Sequence, residues 1–241
     1  DFLDNRTSSN RVTGNIIGTN EAVTDRLPNQ RDGIRIEQSD NNLVNSNILS
    51  GNNSNGIEIV GEQSSENIIT GNIIGLADDG ITKLSNQFSG VALSDAVNNS
   101  IGGEEASSGN LISGNGGIFD GIFLRASGIW LSGNSSGNRI QGNYIGTDLN
   151  GTTTSDTGNS DDGIKVDGES GNNVIGLDET LTGLGNIIGG NGAADASGVT
   201  IVSDNSLNNR ISGNSIFDNS ITGIDLGDDG ITENDQDDSV T

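Results

Sequence analysis

The sequence has no Cys, no His and no Met in its 241 residues. Without Cys it forms no disulfide, and without His it lacks the commonest general base and the imidazole ligands of metals. Catalysis by a nucleophile–His pair is therefore excluded. The missing initiator Met indicates a processed chain or a piece of a longer one.

Basic residues are scarce, because 10 Lys and Arg stand against 34 Asp and Glu and give a formal net charge of −24. Nucleic acid is excluded as a partner, since its binding depends on neutralising phosphates with Lys and Arg. Membrane insertion is excluded because the chain has no run of about 18 apolar residues. Cations are the natural partners of so acidic a chain. Abundant Asp with scarce Lys also fits adaptation to high salt.

Large side chains are few as well, with 3% aromatic and 30% hydrophobic residues. This is little for a globular core, yet Ile, Leu and Val recur at fixed spacing, which is not typical of disorder. One pattern, N-x-(I/V)-x-G-N-x-(I/V), occupies residues 10–17, 67–74, 138–145 and 209–216. A second, G-(I/V)-x-(I/V/L), occupies residues 33–36, 56–59, 90–93, 128–131, 163–166, 198–201 and 223–226.

These patterns predict three short strands in each coil of a solenoid, because alternate residues of a strand face inward. A repeat of this length made of short strands is typical of that architecture. We therefore predict one all-β domain over residues 1–241, a parallel β-helix of about eight coils. Four longer segments are predicted to be loop insertions on one side of it: 76–89, 116–127, 146–162 and a stretch around 176–185.

A family resemblance is visible in short sequence motifs, such as G-N-Y-I-G-T-D at residues 142–148 and N-L-I-S-G-N at residues 110–115. The chain resembles right-handed parallel β-helix proteins of the pectin-lyase-like superfamily. The closer resemblance is to tandem β-helix regions of large secreted or cell-surface bacterial proteins. It implies a right-handed coil and an extracellular or cell-surface location. It implies no particular activity, because the fold hosts lyases, hydrolases, epimerases and non-catalytic stalks.

Asparagines recur at one phase of the coil. Stacked on one another, they would form a ladder of side-chain amides along a bend, and Asn tolerates the left-handed backbone that a sharp bend needs. We interpret this ladder as structural rather than ligand-binding. Its predicted members are Asn15, Asn47, Asn72, Asn115, Asn143, Asn191 and Asn214.

Acidic turns are candidates for Ca²⁺ binding, because hard cations take several oxygens from carboxylates, amides and carbonyls. Asp-Gly sequences also favour turns without any metal, and the spacing of an EF-hand is absent. Calcium is the one cofactor that the sequence suggests. The candidate ligands are Asp78, Asp79, Asp148, Asn150, Asp161, Asp162, Asp228 and Asp229.

A glycan-binding face is predicted on the outward side of the G-(I/V)-x-(I/V/L) strands. Trp130, Lys165 and Asp167 would be neighbours there, with the Trp ring stacking on a sugar and the charged groups binding it or moving protons. The alternative is an ordinary solvated face. It would hold a pair between Arg35 and Glu58 and a cation–π contact between Lys165 and Trp130.

Two functions follow from these observations. The first is a non-catalytic extracellular structural or adhesive module, such as a stalk, adhesin or filament subunit, stabilised by calcium if the acidic turns bind it. The alternative is a carbohydrate-active protein, a glycoside hydrolase or glycan-binding module, using the outer face of one parallel sheet. The missing motifs weigh against enzymatic activity and indicate no catalytic residue, although chemistry by a pair of carboxylates stays open.

The ends of a β-helix expose strand edges and core, which must be covered. We therefore expect flanking domains or end-to-end self-association. The domain would then be a fragment or repeat unit of a longer chain or assembly.

Overall fold

The computed structural model describes residues 7–105, 107–192 and 195–229. These residues form 23 short strands, and three parallel sheets contain seven strands each. Each coil contributes one strand to every sheet in turn, so the predicted right-handed parallel β-helix is confirmed. In the described part of the chain, no helix is long and apolar enough to cross a membrane.

Sheet A contains the G-(I/V)-x-(I/V/L) strands. They are β3 (Ile34–Glu37), β6 (Ile57–Val60), β9 (Val91–Ser94), β14 (Ile129–Ser132), β17 (Ile164–Val166), β20 (Val199–Ile201) and β23 (Ile224–Leu226).

Sheets B and C contain the two halves of the Asn-rich repeat. Sheet B consists of β1 (Arg11–Thr13), β4 (Leu43–Asn45), β7 (Ile68–Thr70), β10 (Ser100–Gly102), β15 (Arg139–Gln141), β18 (Val174–Gly176) and β21 (Arg210–Ser212). Sheet C consists of β2 (Ile16–Ile17), β5 (Ile48–Leu49), β8 (Ile73–Ile74), β11 (Leu111–Ile112), β16 (Tyr144–Ile145), β19 (Ile187–Gly189) and β22 (Ser215–Phe217). A separate antiparallel hairpin pairs β12 (Gly117–Phe119) with β13 (Ile122–Leu124).

The core is a column of stacked aliphatic side chains. Parallel pairing places like residues over one another, as where Ile129 lies between Val91 and Ile164. Each fully buried side chain of this kind contributes about 1.5–3 kcal/mol. Ile224 and Leu226 share the inward pattern but are 45% and 72% exposed. Their strand is the edge of sheet A, and no described coil covers it.

The insertions do not all leave the coil at one corner. The segments 76–89, 116–127 and 146–162 connect sheet C to sheet A, but the segment around 176–185 lies between β18 in sheet B and β19 in sheet C. The prediction that all four insertions lie on one side of the β-helix is therefore wrong for the fourth one. It lengthens a connection that is only a short Gly-Asn bend in other coils, such as that between β15 and β16.

Asparagine ladders run along all three corners of the coil. In each, an Asn side-chain amide donates to the side-chain oxygen of the Asn in the next coil. The ladder between sheets A and B contains Asn10, Asn42, Asn67, Asn99, Asn138, Asn173 and Asn209. The ladder between sheets B and C contains Asn15, Asn47, Asn72, Asn110, Asn143, Asn186 and Asn214. The ladder between sheets C and A contains Asn29, Asn52, Asn86, Asn115, Asn159, Asn191 and Asn219.

Two members of the predicted ladder are therefore corrected. Asn115 and Asn191 belong to the ladder between sheets C and A, not to the ladder of Asn143. The Gly-Asn pairs at residues 114–115 and 190–191 have the same sequence as the bend between sheets B and C. In those coils that bend is formed by residues 109–110 and 185–186, so Asn110 and Asn186 take the predicted places.

Candidate functional site

An open cleft of about 410 Å³ lies where the insertions between sheets C and A meet the outer face of sheet A. It runs along the helix axis across the coils of β6, β9, β14 and β17. Its lining consists of Ser54 and Asn55 at one end, then Phe88, Ser89, Arg125, Ser127 and Trp130, with Asp161 and Lys165 at the other end.

Trp130 forms the middle of the cleft because strand alternation turns it outward. Ile129 and Leu131 on either side of it in β14 are buried in the core, whereas the indole is 40% exposed. Its neighbour in β9 is Ala92, and its neighbour in β17 is Lys165.

Phe88 is a second aromatic wall, and it was not predicted from the sequence. It ends the insertion that precedes β9 and is 46% exposed. Phe88, Arg125 and Asp161 all lie two or three residues before the glycine of a sheet A strand. Comparing these positions before each glycine would have identified them, because the coil brings them to the same corner.

The two cations of the cleft are held by carboxylates. Arg125 contacts Asp161 at 3.1 Å and Asp195 at 3.0 Å. The Lys165 ammonium lies 3.7 Å from Asp162 and 3.5 Å from Asp228. The predicted cation–π contact is thus replaced by ion pairs. The other predicted pair, Arg35 with Glu58, is confirmed.

Asp162 is the most deeply buried acid of this site. Burial raises the pKa of its carboxyl, although one oxygen accepts a hydrogen bond from the Ser197 N–H at 2.8 Å. Its neighbour Asp161 is also buried and accepts a hydrogen bond from Ser127 at 3.4 Å. Both carboxylates therefore depend on the cations that face them.

Of the three residues predicted to bind glycan, the structure brings two together. Trp130 and Lys165 are register neighbours and line the cleft. Asp167 lies beyond the end of β17, outside the cleft lining, and its carboxylate accepts a hydrogen bond from the Gly168 N–H at 2.6 Å.

The calcium candidates fall into three separate groups. Asp78 and Asp79 are in the turn after β8, Asp148 and Asn150 are in the turn after β16, and Asp161, Asp162 and Asp228 form the ion pairs above. Asp229 lies one residue beyond Asp228. Within residues 7–105, 107–192 and 195–229, no three acidic side chains converge as a metal cluster would. Calcium binding stays a prediction.

Three acidic turns are closed by their own carboxylates. Asp79 accepts hydrogen bonds from the N–H groups of Ile81 and Thr82, and Asp148 accepts them from Asn150 and Thr152. Asp178 does the same in the fourth insertion. For Asp79 and Asp148, slight burial opposes these bonds, but the bonds lower each pKa below its ordinary value of 3.8. The bonds from Thr182 and Thr180 lower the pKa of Asp178 as well.

Acid should loosen these turns. A folded pKa below the unfolded value means that the stabilisation is complete above pH 3.8 and is lost as the pH falls through the folded pKa. We expect Asp148→Asn to destabilise the chain modestly at pH 7 and hardly at all at pH 2, as measured by urea unfolding at a series of pH values. A difference that stays constant over that range would show that the charge of Asp148 does not matter.

No protein-family model and no curated protein matches the chain. Among solved structures it is similar to the A-module of the Azotobacter vinelandii mannuronan C-5 epimerase AlgE4. The identity is 18% and the TM-score 0.50, over 92% of this chain and 56% of that one. It is also similar to a double mutant of the periplasmic alginate epimerase AlgG, with 17% identity and a TM-score of 0.46, over 91% of this chain and 39% of that one. The chain thus spans about two fifths to just over half of the structures that it matches.

These findings overturn the first function predicted from the sequence. The AlgE4 structure is a module of an epimerase that acts on a carbohydrate, and it is not a stalk, an adhesin or a filament subunit. The non-catalytic structural module is therefore the wrong prediction, and the carbohydrate-active alternative is the better supported one. At this level of identity the likeness itself shows the fold alone. The chain is a right-handed parallel β-helix with three sheets of seven strands each in its described part.

Proposed function

We propose that the chain is a carbohydrate-active protein that binds an oligosaccharide in the cleft along sheet A. The observation that carries this proposal is the pair of exposed aromatic rings, Phe88 and Trp130, in one open groove. Sugar-binding grooves need apolar faces for the C–H side of the ring and a few polar groups that fix its orientation. This cleft offers both.

The groove has the shape of a site for a chain rather than for a single sugar. It crosses four coils, and successive coils are about 4.8 Å apart. A glycan would lie along the helix axis, with Trp130 under its middle. The hydroxyls of Ser89 and Ser127 and the charged ends of Arg125 and Lys165 would contact its hydroxyl groups.

Binding is better supported than cleavage. Glycoside hydrolysis needs two carboxyl groups on opposite sides of the scissile bond, one of them free to give a proton. The one acid of the cleft lining, Asp161, is tied to Arg125 at 3.1 Å. We place this binding activity outside the cytoplasm, where polysaccharide ligands occur.

Trp130→Ala tests the proposal. Removing the indole should weaken binding of any oligosaccharide that the chain recognises by about tenfold to a hundredfold, since its buried ring area is worth about 1.5–3 kcal/mol. The measurement is a glycan array followed by calorimetric titration of the best ligands. Tyr144→Ala is the matched control, because it removes an aromatic ring from sheet C. The proposal fails if no glycan binds, or if Trp130→Ala binds as well as the wild type.

A further inference from the structure

We infer that the ion pairs of the cleft act as a selectivity filter, so that the site accepts uncharged glycans and rejects those built of uronic acids. This inference rests on the proposed function and names the class of ligand. It is carried by four carboxylates that surround the two cations of the cleft.

Each cation has one buried and one more exposed partner. Arg125 lies between Asp161, whose side chain is 13% exposed, and Asp195, which is 68% exposed. Lys165 lies between Asp162, at 5%, and Asp228, at 45%. The arrangement therefore repeats in two neighbouring coils.

The buried and exposed partners together make the cations unavailable to a ligand carboxylate. Asp161 and Asp162 have lost most of their hydration, and a buried charge that loses its partner is strongly destabilised. An incoming carboxylate would have to displace the exposed partner, Asp195 or Asp228, or draw the cation away from its buried partner. A sugar hydroxyl does not have to break an ion pair, because it can accept a hydrogen bond from a cation that stays paired with its carboxylates.

The net charge around the cleft also disfavours acidic glycans. The two cations and their four partners carry a net charge of −2. Beyond the other end of the cleft, Arg35 is likewise surrounded by Asp32, Glu37 and Glu58. A polyanionic glycan along sheet A would thus meet carboxylates in excess at both ends.

The test compares matched pairs of oligosaccharides. Hexamers of glucose, mannose and galactose are titrated against the corresponding hexamers of glucuronate, mannuronate and galacturonate, at fixed ionic strength. We expect the wild type to bind at least one neutral hexamer, and to bind its acidic counterpart at least about tenfold more weakly.

A double variant, Asp195→Asn with Asp228→Asn, removes the two exposed partners and leaves every residue of the cleft lining unchanged. It should gain about tenfold or more in affinity for the acidic hexamer and keep its affinity for the neutral one. Glu21→Gln with Asp204→Asn is the matched control. It makes the same change in total charge at exposed positions outside the cleft lining.

Three results would overturn the inference. Binding of acidic hexamers as tightly as neutral ones, abolished by Trp130→Ala, would leave the proposed function standing and refute the filter. An equal gain in the control variant would assign the selectivity to total charge rather than to these pairs. Binding of no hexamer in either set would contradict the proposed function, and the filter with it.

Discussion

Asn143→Ala should lower the free energy of unfolding by roughly 3–5 kcal/mol. The Asn143 side-chain oxygen accepts hydrogen bonds from the backbone and the side chain of Asn110. Its amide donates to the carbonyl oxygens of Ile101 and Gln141 and to the side chain of Asn186. The Asn143 side chain is fully buried. Its truncation therefore leaves hydrogen-bond donors and acceptors of three coils without partners.

Asn15→Ala is the control for that experiment. Asn15 begins the described part of the same ladder but is exposed, and its amide donates to Thr13 and Asn47. Water can replace these bonds, so we expect a loss of about 1 kcal/mol or less. Urea unfolding followed by circular dichroism gives both values. Equal losses for the two variants would mean that the ladder does not stabilise the fold through its buried bonds.

The second large effect is expected from Gly128→Ala. A Cβ atom there would lie 2.7 Å from the carbonyl oxygen of Gly163 in the next coil and 2.7 Å from a methyl group of Ile145. Neither neighbour can move without separating the coils or disturbing the core. We expect a loss of about 2–3 kcal/mol in the free energy of unfolding, as for other overpacked sites.

Gly223 provides a matched control, because it takes the same place directly before β23, the edge strand of sheet A in the described part of the chain. A Cβ atom on Gly223 would meet its nearest neighbour, a methyl group of Ile216, at 3.5 Å, an ordinary contact. Gly223→Ala should therefore change stability by less than about 1 kcal/mol. If Gly128→Ala were as harmless in the same thermal and urea unfolding measurements, close packing between coils would not explain the repeated glycine.

The repeat made the architecture predictable, because each of its residue types is required by a local physical interaction. Gly128 is required by the close approach of the next coil, Ile129 by the core, and Asn143 by the hydrogen bonds along its corner. These reasons recur from coil to coil, so they leave a visible period in the sequence. The exposure of Leu226 could not be predicted in this way, because it depends on which described strand lies at the edge of sheet A.

The cleft was harder to predict because its walls come from insertions of unequal length. Trp130 lies within the repeat, and its outward direction follows from strand alternation. Phe88 and Arg125 lie at the ends of two different insertions. They come to lie side by side in the cleft only in the folded β-helix. The same inequality of length explains the misplacement of Asn115, since a Gly-Asn pair can serve either of two corners.

Fluorescence of the single tryptophan can report directly whether an oligosaccharide binds in this cleft. Trp130 is the one Trp of the sequence, so the emission of the intact chain reports on the cleft alone. Titration with an oligosaccharide that binds should change the intensity or wavelength of this emission along a saturating curve. The midpoint should agree with the dissociation constant from calorimetry. A glycan that binds by calorimetry and leaves the Trp130 emission unchanged would show that it binds elsewhere, and would contradict the account.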